Sequence, residues 1–182
     1  MNKVIISVIG EDQPGILSAV SRSLFTCGCN IENISQTILQ SMFGALFIAS
    51  IPDHLDAERL QTTLIQDLSD LAMDVFVKEH LPVIHSSVRS QPFVITTFGP
   101  DKPGLVSGIT GIFARYAINV TNLKAVFKGG DVPQDNIMIF EVDIPDDASL
   151  PDVRRELEQA AQDLALEINI QHRQIFETMN RI

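Results

Sequence analysis

The 182-residue chain has no tryptophan, one tyrosine and two cysteines, and its acidic residues outnumber its basic ones by 23 to 13. Each shortage narrows what the protein can be. A formal charge of -10 and a pI near 4.7 oppose binding to a phosphate backbone unless a basic patch is segregated. No run of Lys and Arg supplies such a patch, since the densest pair, Arg154-Arg155, lies among Glu156 and Glu158. The scarcity of aromatics leaves little for bases to stack on, so no direct contact with nucleic acid is expected. No apolar window reaches bilayer length, and the stretch after Met1 is too short for a signal peptide. A cytoplasmic protein without membrane contact is the expectation. Cys27 and Cys29 are too close for an ordinary disulfide and lack the second Cys/His pair of a zinc site. They are read as reduced thiols packed around a helix end, and no metal is expected.

What is present is a duplication. With an offset of 89 residues, "GEDQPGILSAVSRSLFTCGCNIENIS" aligns with "GPDKPGLVSGITGIFARYAINVTNLK". Gly10, Asp12, Pro14, Gly15, Ser18, Asn30 and Asn33 recur as Gly99, Asp101, Pro103, Gly104, Ser107, Asn119 and Asn122. The match resumes at an offset of 93, where "IPD" at 51–53 answers "IPD" at 144–146. Four residues are therefore added in the second copy, around "KGGDVPQDN" at 128–136. A fixed repeat of this kind means two copies of one structural unit. The expected boundaries are a first domain at 1–80, a linker at 81–92, a second domain at 93–173 and a tail at 174–182.

Each copy reads strand, helix, strand, strand, helix, strand. "KVIISVI" and "PFVITTF" are short and β-branched. Ile16, Val20, Leu24 and Cys27 then follow helical spacing, as do Leu105, Ile109, Phe113 and Tyr116. Gly28 and Ala117 fall where those helices should end. A βαββαβ order predicts an α+β fold: two ferredoxin-like sandwiches in tandem, each a four-stranded antiparallel sheet with two helices on one face. In "ALFIASI" and "NIMIFEV" apolar residues point to both faces, whereas a solvated face should be polar at alternate positions. Cover by the other repeat or by a second chain follows, so a homo-oligomer, a dimer, is expected.

The repeated loop admits three readings. As a phosphate loop it fails, because Gly15 and Gly104 precede Ile16-Leu17 and Leu105-Val106 instead of Lys-Ser/Thr. As a structural corner it is adequate: Pro14 and Pro103 suit the first helical turn, and Asp12 and Asp101 can accept backbone N–H groups near the helix start. As an amino-acid site it is richer. The helix start offers unpaired N–H groups to a carboxylate, and Gly15 and Gly104 let a ligand approach the backbone. Asp12 and Asp101 suit its ammonium group, and Asn30 and Asn119 offer an amide. On this reading one βαβ unit gathers loop, helix end and strand start around one small ligand.

These same residues resemble the ACT domain, the βαββαβ module that regulates amino-acid metabolism. The family's D/N-x-P-G loop and its Asn-Ile/Val after the first helix correspond to Asp12, Pro14, Gly15, Asn30 and Ile31, and to Asp101, Pro103, Gly104, Asn119 and Val120. The resemblance spans nearly the whole chain. Two such units without a catalytic domain are similar to the glycine cleavage repressor family. That resemblance implies a sensor of a small amino acid, glycine by suggestion, acting through a DNA-binding transcription factor. It implies ligand contacts at the residues just named, often at an interface between two units. The copies differ, since Gln13 becomes Lys102 and Glu11 becomes Pro100, and the family's polar or His residue is here Gly10 or Gly99. A non-binding dimerisation and docking scaffold is the alternative, with the 128–136 turn as a candidate docking element.

No enzyme and no cofactor are expected. His54, His80, His85 and His172 are scattered, none at metal spacing, and Ser107 in "GLVSG" is not a nucleophile elbow. Glu156, Glu158, Asp163 and Glu167 read as a solvated helix face.

Overall fold

The computed structural model describes residues 2–80, 89–126 and 136–175. It divides into two compact units, Met1–Ile84 and His85–Ile182. The first unit runs β1 (Asn2–Glu11), α1 (Ile16–Thr26), β2 (Asn30–Leu39), β3 (Met42–Ile51), α2 (Ala57–Asp67) and β4 (Asp74–Glu79). The second runs β5 (Ser90–Gly99), α3 (Leu105–Arg115), β6 (Asn119–Val126), β7 (Asn136–Pro145), α4 (Leu150–Asp163) and β8 (Glu167–His172). Strand orders are β2-β3-β1-β4 and β6-β7-β5-β8, all pairs antiparallel. The α+β tandem sandwich expected from the repeat is the fold observed.

In the first unit, β-branched residues at alternate positions of β1 bury Val4, Ile6 and Val8 completely. They pack under Ile16, Val20 and Leu24 of α1 and Leu60 and Leu64 of α2. The second unit repeats this with Phe93 and Ile95 under Ile109, Phe113 and Leu157. There Phe113 meets Phe140 edge to face at 5.4 Å, a preferred ring geometry. Side chains at every second strand position thus make one face of each sheet dry.

Backbone conformation is duplicated along with sequence. Gly28 and Ala117 end the first helices in the left-handed region, with φ of 72° and 52°, closing those helices as a C′ residue does. Ala72 and Ala165 recur at φ 49° and 58° before the last strands. Asp56 caps α2 by accepting the Arg59 N–H at 2.8 Å.

Two expectations are corrected. Pro14 and Pro103 stand ahead of the helices and not in their first turns, because Gly15 and Gly104 are the N-cap residues. Residues 90–92, read as linker, already belong to β5. Pro92 fits there because β8 flanks β5 only from Phe93 onward, so no bond to β8 is asked of the missing N–H. The rest of the expected linker (81–88), the 128–135 part of the inserted turn and the tail from 176 lie outside the described residues.

Thr97 lies on the buried face of β5, and among the described residues its hydroxyl has no hydrogen-bond partner. Val8 holds the equivalent position in β1. An unsatisfied buried polar group costs about 1–3 kcal/mol, so Thr97→Val should stabilise the second unit by about 1 kcal/mol. A rise in urea midpoint at unchanged m-value checks this.

Candidate functional site

The Gly-x-Asp-x-Pro-Gly loops leave the ends of β1 and β5 and enter α1 and α3. Their two glycines have different jobs. A Cβ at Gly10 would lie 2.6 Å from Sδ of Met73, and one at Gly99 would lie 2.8 Å from the carbonyl oxygen of Ala165. The first glycine therefore lets the central strand pass close under the turn leading into the last strand. At Gly15, by contrast, a Cβ would meet nothing within 4 Å. Its requirement is conformational: φ is 101° at Gly15 and 92° at Gly104, the left-handed region.

The loops leave their helix starts bare. Gly15 O and Gly104 O accept the first helical bonds, from Ala19 and Gly108. Among the described residues no side chain caps α1 or α3, and neither helix has an acidic residue in its first turn. The chain treats its other helices differently. Asp56 and Glu58 serve the start of α2, and Asp152 serves α4. The Asp152 carboxyl is held below its usual range by hydrogen bonds from Ser149 and Arg155. Among the described residues, α1 and α3 are the two α-helices with neither a side-chain cap nor a first-turn carboxylate, which leaves their positive ends uncompensated. Asp12 and Asp101 are exposed, and among the described residues neither carboxylate has a hydrogen bond or ion pair.

The first loop is tethered at two points. Asp12 N–H donates to the carbonyl of Ser41, in the β2–β3 turn, at 2.8 Å. The Gln13 side-chain amide donates to the carbonyl of Leu71 at 3.0 Å. Lys102 replaces Gln13 in the second loop, and the turn equivalent to 40–41 lies outside the described residues there.

Within one unit, the structure does not bring Asn30 to the loop. Asn30 pairs with Ser50, which pairs with Lys3 at the beginning of β1, whereas the loop follows Glu11 at its end. Eight residues of strand separate the two levels, roughly 26 Å at about 3.3 Å per residue. Asn119 lies likewise at the level of Asp143 and Pro92, far from Gly99. A single βαβ unit therefore cannot close both groups on one small ligand. The cause is direction: β1 and β2 both run antiparallel to β3, so the end of one is level with the end of the other. Ile31 and Val120 are half-buried and pack against the cores. A bulge follows each, between Ile31 and Asn33 and between Val120 and Asn122. The bulges and the close-passing glycines are features that periodicity did not reveal. The repetition of Gly10 as Gly99 was the available signal for the second.

The cysteines lie beside the C-terminus of α1. Burial, and secondarily Asp67, raises the Cys27 thiol, while burial, then Cys27, pushes Cys29 up to about 11 from 9.0. Ser23 donates to Asp67 at 2.6 Å, tying α1 to α2. In the second unit Glu156 accepts from Tyr116 at 2.7 Å and pairs with Arg115. Those bonds hold its carboxyl below the usual range and raise the tyrosine. Among the described residues no cluster of three His, Cys, Asp or Glu could hold a metal, and no helix is long and apolar enough to cross a membrane.

Two antiparallel sandwiches, each with a side-chain-uncapped helix start behind a glycine-bounded loop, define a tandem small-domain protein with one corner built twice. A model of the ACT domain matches residues 2–78 and again 91–171, and the chain belongs to the ACT-domain family. The glycine cleavage system transcriptional repressor of Escherichia coli is 27% identical over 175 residues, covering 92% of this chain and 86% of that protein. A UPF0237 protein of Methanopyrus kandleri is 30% identical over 91 residues, 49% of this chain and 96% of its own length. Among solved structures, an unknown protein from Galdieria sulphuraria superposes with a TM-score of 0.76 at 20% identity, covering 94% of this chain and 98% of that one. At that identity the likeness concerns the fold.

Two outcomes test this description. Gly99→Ala should cost about 1–3 kcal/mol through overpacking against backbone, and Gly10→Ala less, because the flexible Met73 side chain can yield. Urea denaturation of both variants compares them. For Cys29 the raised pKa stabilises the fold below pH 9, and that contribution is lost as pH rises through about 11. At pH 8 the thiolate of Cys29 should be about 100-fold scarcer than in the unfolded chain. Its labelling by a disulfide reagent should be slow when folded and fast in denaturant.

Proposed function

We propose that this protein is a regulatory sensor of a small amino acid, and an accessory transcriptional regulator that works through a DNA-binding partner. The observation that carries the reading is the pair of uncapped helix starts behind the repeated loops. They offer N–H groups to a carboxylate, with Asp12 or Asp101 beside them for an ammonium group. Glycine is the effector suggested by the similarity to the Escherichia coli repressor. The ligand set is Asp12, Pro14, Gly15, Asn30 and Ile31, with Asp101, Pro103, Gly104, Asn119 and Val120 in the second unit.

Strand direction supports a bridged form of this site. β2 is a sheet edge, and the first loop is bonded to the turn at its end. Antiparallel pairing of β2 with β2 of a second copy brings Asn30 of that copy beside the end of β2, and so beside the loop. A ligand spanning that seam favours the paired arrangement by its difference in affinity for the two arrangements, and pairing then controls the partner.

A thermal-shift screen against the common amino acids tests the proposal. At about a hundred times its dissociation constant, an effector adds roughly 2.7 kcal/mol, a shift of several degrees for units of this size. Asp12→Ala or Asp101→Ala should abolish the shift, and Asn30→Ala should weaken it with no change in the apo melting temperature. No shift with any amino acid would overturn sensing in favour of a scaffold.

A further inference from the structure

The helix-free face of the first sheet carries a protrusion in one row and a depression that opens in the next. The register aligns residues into rows across β2, β3, β1 and β4: Ser35, Leu46, Ser7 and Phe76 form one, and Thr37, Gly44, Ile9 and Asp74 the next. Phe76 at the β4 side is 59% exposed, and Leu46 and Ile9 are 54% and 48% exposed. On the β2 side, Gly44 has no side chain. The hollow above it is a cavity of about 210 Å³ walled by Ser7, Ile9, Ser35, Thr37 and Leu46. An apolar cavity of ~150 Å³ accommodates a benzene ring, so a phenylalanine ring fits the hollow.

We infer that this face of the first unit docks on the same face of a second copy of the chain, Phe76 of each filling the Gly44 hollow of the other. A two-fold axis parallel to the strands lays β4 of one copy over β2 of its partner. Because Ser35, Leu46 and Ser7, which wall the hollow, belong to the row of Phe76, each ring meets the other copy's hollow and both insertions form together. Such isologous contacts need a self-complementary patch, and a knob and a hole in adjacent rows provide one. Charges agree. Asp74 and Lys78, on either side of Phe76, come over the rows of Thr37 and Asn33, where a hydroxyl donor and an amide acceptor replace like charge. Four strands at about 4.8 Å and ten residues at about 3.3 Å give a face of roughly 600 Å². That is at the lower end of specific interfaces, which bury about 800 Å² per partner, so the dimer dissociates on dilution.

The duplication supplies an internal control. The equivalent rows of the second unit hold Asn169 in place of Phe76 and Ile137 in place of Gly44. At those two positions neither the phenylalanine nor the glycine is repeated, and the docking belongs to the first unit. The contact uses the sheet face and leaves the β2 edge free, so it stands or falls independently of amino-acid sensing.

Light scattering of the full chain across a hundredfold concentration range tests it, without amino acids present. The wild type should pass from monomer to dimer. Phe76→Asn and Gly44→Ile, each importing the residue of the second unit, should each weaken dimerisation at least tenfold with unchanged circular dichroism. Isoleucine fits sterically at position 44, because a Cβ there meets only Thr37 Cγ2 at 3.9 Å. A wild type that stays monomeric throughout would overturn the inference and leave the face to a different protein. A dimer indifferent to both substitutions would overturn it too, as would a monomer that dimerises only once an amino acid is added, which would assign the contact to the β2 edge.

Discussion

Everything in each unit hangs on the register of its central strand. β1 bonds β3 along ten residues and β4 along six, and β5 does the same with β7 and β8. Because side chains alternate, a slip of one residue would turn Val4, Ile6 and Val8 out of the core. Burial therefore fixes the register, and the register fixes which loops meet at which end of the sheet. The glycine at or next to the end of each central strand belongs to the same constraint, since it lets the strand continue past the turn before β4 or β8 without a collision.

That fixed frame divides the signature residues into two groups with separate physical situations. The loop and helix start present bare N–H groups and an unpaired carboxylate at one end. Asn30 and Asn119 sit at the other, each followed by a core-packed residue and a bulge. Neither group is a complete site for a zwitterion. On the proposed sensing role, the need for a second unit comes from strand direction alone.

Much of this was legible in the sequence. The offset of 89 residues exposed the duplication, and period-two and helical spacings gave all twelve elements in order. Gly28 and Ala117 marked the helix ends correctly because a left-handed residue is what stops a helix there. The ordering of Pro14 and Gly15 was misread, since proline at a helix start and proline one step earlier give the same string. The separation of Asn30 from Asp12 was not legible at all: residues close in a motif diverge when a helix runs the length of the sheet between them. The job of Gly10 depends on Met73, far away in the chain, and local pattern carries no trace of it.

The two edges of the first sheet are unequal, and this governs how far association can run. β2 is ten residues long, with Glu32 its one charge, whereas β4 has six residues, of which Asp74, Lys78 and Glu79 are charged. Growth of a continuous intermolecular sheet needs two receptive edges on every subunit, one to accept and one to pass on. Here one edge is receptive and the other is short and blunted by charge. In the β2-paired form proposed above, no equally receptive strand of that sheet would remain, and edge-to-edge addition would stop at a closed pair instead of lengthening into a filament.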